Sequence, residues 1–143
     1  MPFATPGCDI GILEACVQIL IIDDSHTMRG ILRRTLEKLF EGCIVREAED
    51  GKSAIHELAL GRVDLIITDL EMPGMDGRRF LETLRQNPLL RKKKIVVFSS
   101  AIEDSLTQQF KDNPNVAFLA KPASHESIAQ AIGLVMGESQ ATL

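Results

Sequence analysis

Three near-continuous apolar runs rich in β-branched residues punctuate the chain: residues 17–22 (VQILII), 63–68 (VDLIIT) and 95–98 (IVVF). Runs of this kind suit strands covered on both faces, the signature of a parallel sheet. Residues 44–47 and 116–120 are shorter candidates of the same kind. Between the runs, apolar residues recur at helical spacing. Met28, Ile31, Leu32, Thr35, Leu36 and Leu39 mark a first helix that Ser25 or Thr27 can cap. Residues 52–60 form a second, with Gly61 as its expected stop. Residues 77–85 form a third, with Phe80, Leu81 and Leu84 inward and Asp76 as its expected cap. Residues 104–110 form a fourth that Asn113-Pro114 ends. Residues 124–136 form a fifth, capped by Ser124, with Ile128, Ile132 and Val135 inward and Gly137 as its stop. Strands alternating with helices predict right-handed βαβ units and a doubly wound (βα)5 sheet. Residues 1–16 carry Pro2, Pro6 and Gly7 and no clear period, so they read as an N-terminal tail or appendage.

Composition adds bounds. The 143 residues and 45% hydrophobic content suit a single domain with an ordinary core. A formal net charge of -4 argues against a face that binds nucleic acid directly, and Arg91-Lys92-Lys93-Lys94 reads as a solvated loop. No apolar run is long enough to span a membrane and no signal peptide is visible, so the expected location is the cytoplasm. Cys8, Cys16 and Cys43 have no ligand-like spacing, nor do His26, His56 and His125. The cysteines read as buried or idle thiols of a reducing compartment.

The informative polar residues follow the strands. The first strand runs into Asp23 and Asp24, the third into Asp69, the fourth into Ser99 and Ser100, and the fifth into Lys121-Pro122. Open α/β sheets bind ligands outside the carboxyl ends of their strands. Taken singly, each Asp or Ser can be a helix cap or turn former. Together they place three carboxylates, a hydroxyl and an ammonium at one edge. Packed carboxylates favour a cation between them, and Mg²⁺ takes oxygen ligands of this kind. A lysine and a hydroxyl opposite supply what a phosphoryl group needs. The pattern reads as phosphoryl chemistry on a carboxylate.

The segments IIDDSHTMRGILRRTLEKL, IITDLEMPGMDG, VVFSSA and FLAKP resemble the signature regions of response-regulator receiver domains, in particular stand-alone chemotaxis regulators. The separations match as well: 45 residues from Asp24 to Asp69, 30 to Ser99 and 22 more to Lys121. The resemblance implies a flavodoxin-like five-stranded parallel sheet of order 2-1-3-4-5 over residues 17–137, with a short tail at 138–143. It implies Asp69 as phosphoacceptor, with Lys121 and Ser99 acting on the phosphoryl group. Asp23, Asp24, Asp69 and the backbone carbonyl of Glu71 would hold Mg²⁺. Ser99 and Phe118 would be the switch pair, and Gly77 would supply a tight turn after the loop that contains Met72 and Pro73. Phe118 lacks the hydroxyl of a switch tyrosine, and Ser100 stands where alanine is common. Glu71 puts a carboxylate two residues after the acceptor, at a position that tunes phosphoryl lifetime.

The expected partners are a sensor histidine kinase or histidine phosphotransfer protein, and a downstream protein docking on the face of the fourth helix, fifth strand and fifth helix. No output domain is expected within the chain. Two other classes fit less well. A phosphohydrolase with an aspartyl nucleophile would carry a DxD pair closing the first strand. A flavodoxin-like cofactor binder would need a phosphate-cradling loop there.

Overall fold

The computed structural model describes residues 16–72, 75–88, 90–100 and 102–136. The expected N-terminal appendage, Cys8, Pro73, the Gly137 stop and the C-terminal tail lie outside the described residues, apart from Cys16. Strand β1 (Gln18–Ile22) leads into α1 (His26–Leu39), then β2 (Ile44–Ala48), α2 (Gly51–Leu60) and β3 (Leu65–Thr68). Two-residue strands β4 (Glu71–Met72) and β5 (Met75–Asp76) form a small antiparallel pair before α3 (Gly77–Gln86). Strand β6 (Lys94–Ser99), α4 (Asp104–Gln109), β7 (Val116–Ala120) and α5 (His125–Met136) complete the fold.

The five longer strands are parallel throughout, in the order β2-β1-β3-β6-β7. This is the expected 2-1-3-4-5 order once the two short strands are set aside. Side-chain alternation along the central strands divides the core into two layers. Ile19, Ile21, Leu65, Ile67, Val96 and Phe98 face α1 and α5, whose Leu32, Leu36, Ile128 and Ile132 complete that layer. Leu20, Ile22, Ile66, Ile95 and Val97 face the other way, onto Ala54, Phe80, Leu81, Leu84 and Leu106 of α2, α3 and α4. Because both faces are covered, the central strands show no polar alternation, and burial of each Leu or Ile contributes about 1.5–3 kcal/mol.

Local details depart from the sequence pattern in physically readable ways. Asp50 caps α2 through a reciprocal pair with Ser53, so that helix starts at Gly51. Gly61 has φ 171, extended backbone rather than the left-handed stop expected of it, whereas Gly42 in the α1–β2 turn has φ 76. Strand β3 starts at Leu65 and not at Val63, because the Asp64 carboxylate accepts from the Gln18 amide at 2.9 Å. Asp76, expected as the cap of α3, ends β5 directly before that helix. Ser25 and Ser124 cap α1 and α5 as expected, accepting from Met28 and Ser127 N–H at 3.2 and 3.1 Å. Cys16 is buried and disulfide-bonded, in place of the idle thiol expected there. Cys43 is a free thiol, and burial pushes its pKa up. No described helix is long and apolar enough to cross a membrane.

Candidate functional site

The parallel sheet brings the carboxyl ends of β1, β3, β6 and β7 to one edge, and the polar residues that close them meet there. Asp23 is 1% exposed and Asp69 is 6% exposed, unusual burial for carboxylates. Each is held by the turn that follows its strand. Asp23 Oδ1 accepts from the Ser25 amide at 2.9 Å, and Asp69 Oδ1 accepts from the Glu71 amide at 3.1 Å. The Asp69 amide in turn donates to the Ile22 carbonyl at 2.9 Å, which ties the end of β3 to the end of β1.

Lys121 joins the two acids. Its Nζ donates to Asp23 Oδ2 at 2.8 Å and to Asp69 Oδ2 at 3.0 Å. The ammonium also lies 5.4 Å from the centre of the Phe98 ring, within cation–π range. Burial works to lower the lysine's pKa, yet the hydrogen bonds and charges of Asp23 and Asp69 outweigh it and raise the value. The main chain of Lys121 donates to the Ser99 carbonyl at 3.0 Å, and the Lys121–Pro122 peptide is cis. Ser99 closes β6 and is fully buried.

Asp24 is exposed beside this pair. Asp23, Asp24 and Asp69 each offer an oxygen, and the three oxygens lie within 4.8 Å of one another. An all-oxygen set with one exposed member suits a hard divalent cation such as Mg²⁺, which keeps several waters and binds through a few carboxylates. The residues therefore fit the ion that the sequence pattern implies. Glu71 follows Asp69 by two residues and is exposed, and its Oε2 accepts from Ser100 Oγ at 3.1 Å. That bond spans the ends of β3 and β6.

Gly77 shapes the loop after Asp69 through close approach. A Cβ there would sit 2.5 Å from both the Cα and the carbonyl oxygen of Leu70, so only glycine lets α3 begin this near the Asp69 turn. Phe118 stands apart from the acids, in the middle of β7 opposite Val97. Its ring packs against Phe110 with centroids 6.3 Å apart. Both rings line a groove of about 340 Å³ together with Lys111, Ala117 and Leu134, where α4 and α5 flank the sheet edge.

Two arginines were missed in the sequence. Arg29 and Arg33 both grip Glu47 of β2, each through Nε at 2.8 Å. Their spacing of four on α1 was the available signal, but only the tertiary pairing supplies the partner. Arg78 donates to Glu103 at 2.9 Å and to Ser105 at 3.1 Å, joining the start of α3 to the start of α4.

The fold and this edge define a response-regulator receiver domain. The family model described as "Response regulator receiver domain" matches residues 19–133, and the chain belongs to that family. It is 31% identical over 122 residues to a probable chemotaxis protein CheY of Rhizobium etli, covering 85% of this chain and 93% of that protein. It is 32% identical over 106 residues to the cyclic di-GMP phosphodiesterase response regulator RpfG of Xanthomonas campestris. That match covers 74% of this chain but only 28% of the longer protein. Among solved structures, the chemotaxis response regulator CheY4 of Vibrio cholerae superposes with a TM-score of 0.72 at 27% identity, covering 84% of this chain and 98% of the other. Receiver domains of this family are two-component signalling switches.

Proposed function

We propose that the chain is a phosphorylation-controlled switch in which Asp69 accepts a phosphoryl group from the phosphohistidine of a sensor histidine kinase or histidine phosphotransfer protein. The observation that carries the reading is Lys121 bridging Asp69 and Asp23, with Asp24 completing an oxygen cluster. In the transfer, a carboxylate oxygen of Asp69 bonds to phosphorus as the bond from phosphorus to the histidine nitrogen breaks, and the imidazole leaves. Asp23, Asp24, Asp69 and the Glu71 carbonyl would hold Mg²⁺, which when bound neutralises charge on the phosphoryl oxygens. Lys121 exchanges its bond to Asp69 for one to a phosphoryl oxygen, with no new desolvation required of it. The Ser99 hydroxyl donates to a second oxygen. Positioning and charge stabilisation supply most of the catalysis in such a transfer.

The aspartyl phosphate carries roughly two negative charges where the Asp69 carboxylate carried one. Drawing Ser99 toward it opens room beside β6 into which Phe118 rotates, and the rearrangement alters the α4–β7–α5 face. That face is the proposed docking surface for a downstream protein. The receiver unit proposed for this role runs from 17 to 137. Exposed Glu71, held by Ser100, stands beside the acceptor where it crowds and repels attacking water.

Intact-mass measurement after incubation with acetyl phosphate and Mg²⁺ tests the reading. One added phosphoryl group is expected in the wild type and none in Asp69→Asn. Equal labelling of the variant would remove Asp69 from the role.

A further inference from the structure

Asp23 is held through its main chain as well as its carboxylate. Its N–H donates to the Ala48 carbonyl of β2 at 3.0 Å, extending the β1–β2 ladder by one link. Its C=O lies beyond that ladder and is met by Arg29, which lies within the first turns of α1. Nη1 of Arg29 donates to the Asp23 carbonyl at 2.6 Å, while Nε of the same guanidinium donates to Glu47 Oε1 at 2.8 Å. Glu47 directly precedes Ala48. Both main-chain groups of Asp23 are thus attached to consecutive residues of one strand, the first directly and the second through the guanidinium of a side chain that is 13% exposed.

We propose that Arg29 is a positioning residue for the carboxylate site: by bridging the Asp23 carbonyl to Glu47, it presets the Asp23–Asp24 turn for a divalent cation. The proposal rests on the reading of Asp23 and Asp24 as metal ligands. Charge alone would argue for the opposite effect, since a cation beside a cation site repels. Glu47 offsets that charge, leaving the directional bond as the net contribution. The bridge needs two donors held in one plane, which a guanidinium has and an ammonium lacks. The second Glu47 oxygen accepts from Arg33 Nε at 2.8 Å, which fixes the carboxylate that Arg29 leans on. Arg33 directs Nη2 to the Val45 carbonyl at 3.1 Å and Nη1 toward Glu37 at 4.0 Å, so its reach is away from Asp23. The two arginines therefore share a partner and differ in their reach to the site.

That difference supplies the experiment, carried out on the full chain by NMR. Two quantities are read: the Mg²⁺ dissociation constant from a MgCl2 titration, and hydrogen exchange of the Asp23 and Ser25 amides in metal-free protein. Arg29→Ala is expected to weaken Mg²⁺ about tenfold, the lower end for groups that orient metal ligands, and to speed both amides. Arg29→Lys is expected to fall with Arg29→Ala, because its charge remains but its fork is gone. Arg33→Ala is expected to stay within about twofold of wild type on both readouts, at the low end of what loss of a half-exposed ion pair does. A general staple between α1 and β2 would make the Arg29 and Arg33 variants equivalent, which overturns the proposal. So would tighter Mg²⁺ binding in Arg29→Ala, the mark of a purely electrostatic role. If wild type gives no Mg²⁺ response, the metal reading fails while amide exchange still decides whether Arg29 orders the turn.

Discussion

The carboxyl edge of the sheet and the α4–β7–α5 face lie a few residues apart along β6 and β7, yet they are built on opposite principles. At the edge, Asp23 and Asp69 are buried, Lys121 is half-buried between them, and their hydrogen bonds join the turns that follow β1, β3 and β7. At the face, β7 is only half-buried, α4 has six residues and no side-chain cap at Glu103, and Leu134 is 74% exposed over an apolar groove. A site that must orient a phosphoryl group gains from groups that cannot move, because a misplaced charge forfeits most of its effect. A surface that must take two shapes gains from loose packing, since few contacts are lost on moving. The contrast teaches where a local charge would be converted into a change of shape: at the boundary, where Ser99 is buried and Phe118 is not.

The largest effect that can break this comparison is on the rigid side. Gly77→Ala forces a Cβ against Leu70 main-chain atoms, which have no flexible end to swing away. A loss of about 3 kcal/mol in unfolding free energy is expected from overpacking of this kind. Chemical denaturation measures it, and a loss under about 1 kcal/mol, the floor for such strain, would mean that the Asp69 turn yields easily.

A smaller effect concerns Glu47, which ties the acid turn to β2. Burial acts to raise its carboxyl, but the hydrogen bonds of Arg33 and Arg29, with their charges, outweigh it and hold the pKa below the usual value. A carboxylate depressed on folding contributes stability above its unfolded pKa and loses that contribution as pH falls through the folded one. Glu47→Gln is therefore expected to cost about 1 kcal/mol near neutral pH. The gap to wild type should close in acid, below the depressed value. Paired denaturation curves against pH check this, and a gap that widens in acid contradicts the sign.

The smallest effect belongs to the pliable side. Leu134→Ser removes an exposed side chain over the groove, and its unfolding free energy should stay within about 0.5 kcal/mol of wild type. A larger loss would make the face part of the core and remove the contrast.

Much of the fold was legible because the central strands are covered on both sides. Val96 and Val97 alternate between the two core layers yet are equally apolar, so a continuous run marks a strand as clearly as its flanking helices do. The acid edge was legible because each of its residues immediately follows such a run. Where the chain conflicts with the pattern, a nonlocal bond decides. Asp64 shortens β3 by bonding Gln18 at a distance of 46 positions, and no window of sequence contains both. The Arg29–Glu47–Arg33 grip is hidden for the same reason, since its partner is supplied by the parallel register that brings β2 beside β1. Gly61 misled because an extended φ can end a helix as a left-handed one can.

The link between the two regions is tested most directly by amide NMR of the full chain with and without beryllofluoride in the presence of Mg²⁺. The expected result is a set of shifts that starts at Asp69, Glu71 and Ser99 and continues through Val116–Ala120 and along His125–Met136. Shifts confined to the turns after β3 and β6, with β7 and α5 unmoved, would contradict the coupling of the rigid edge to the pliable face.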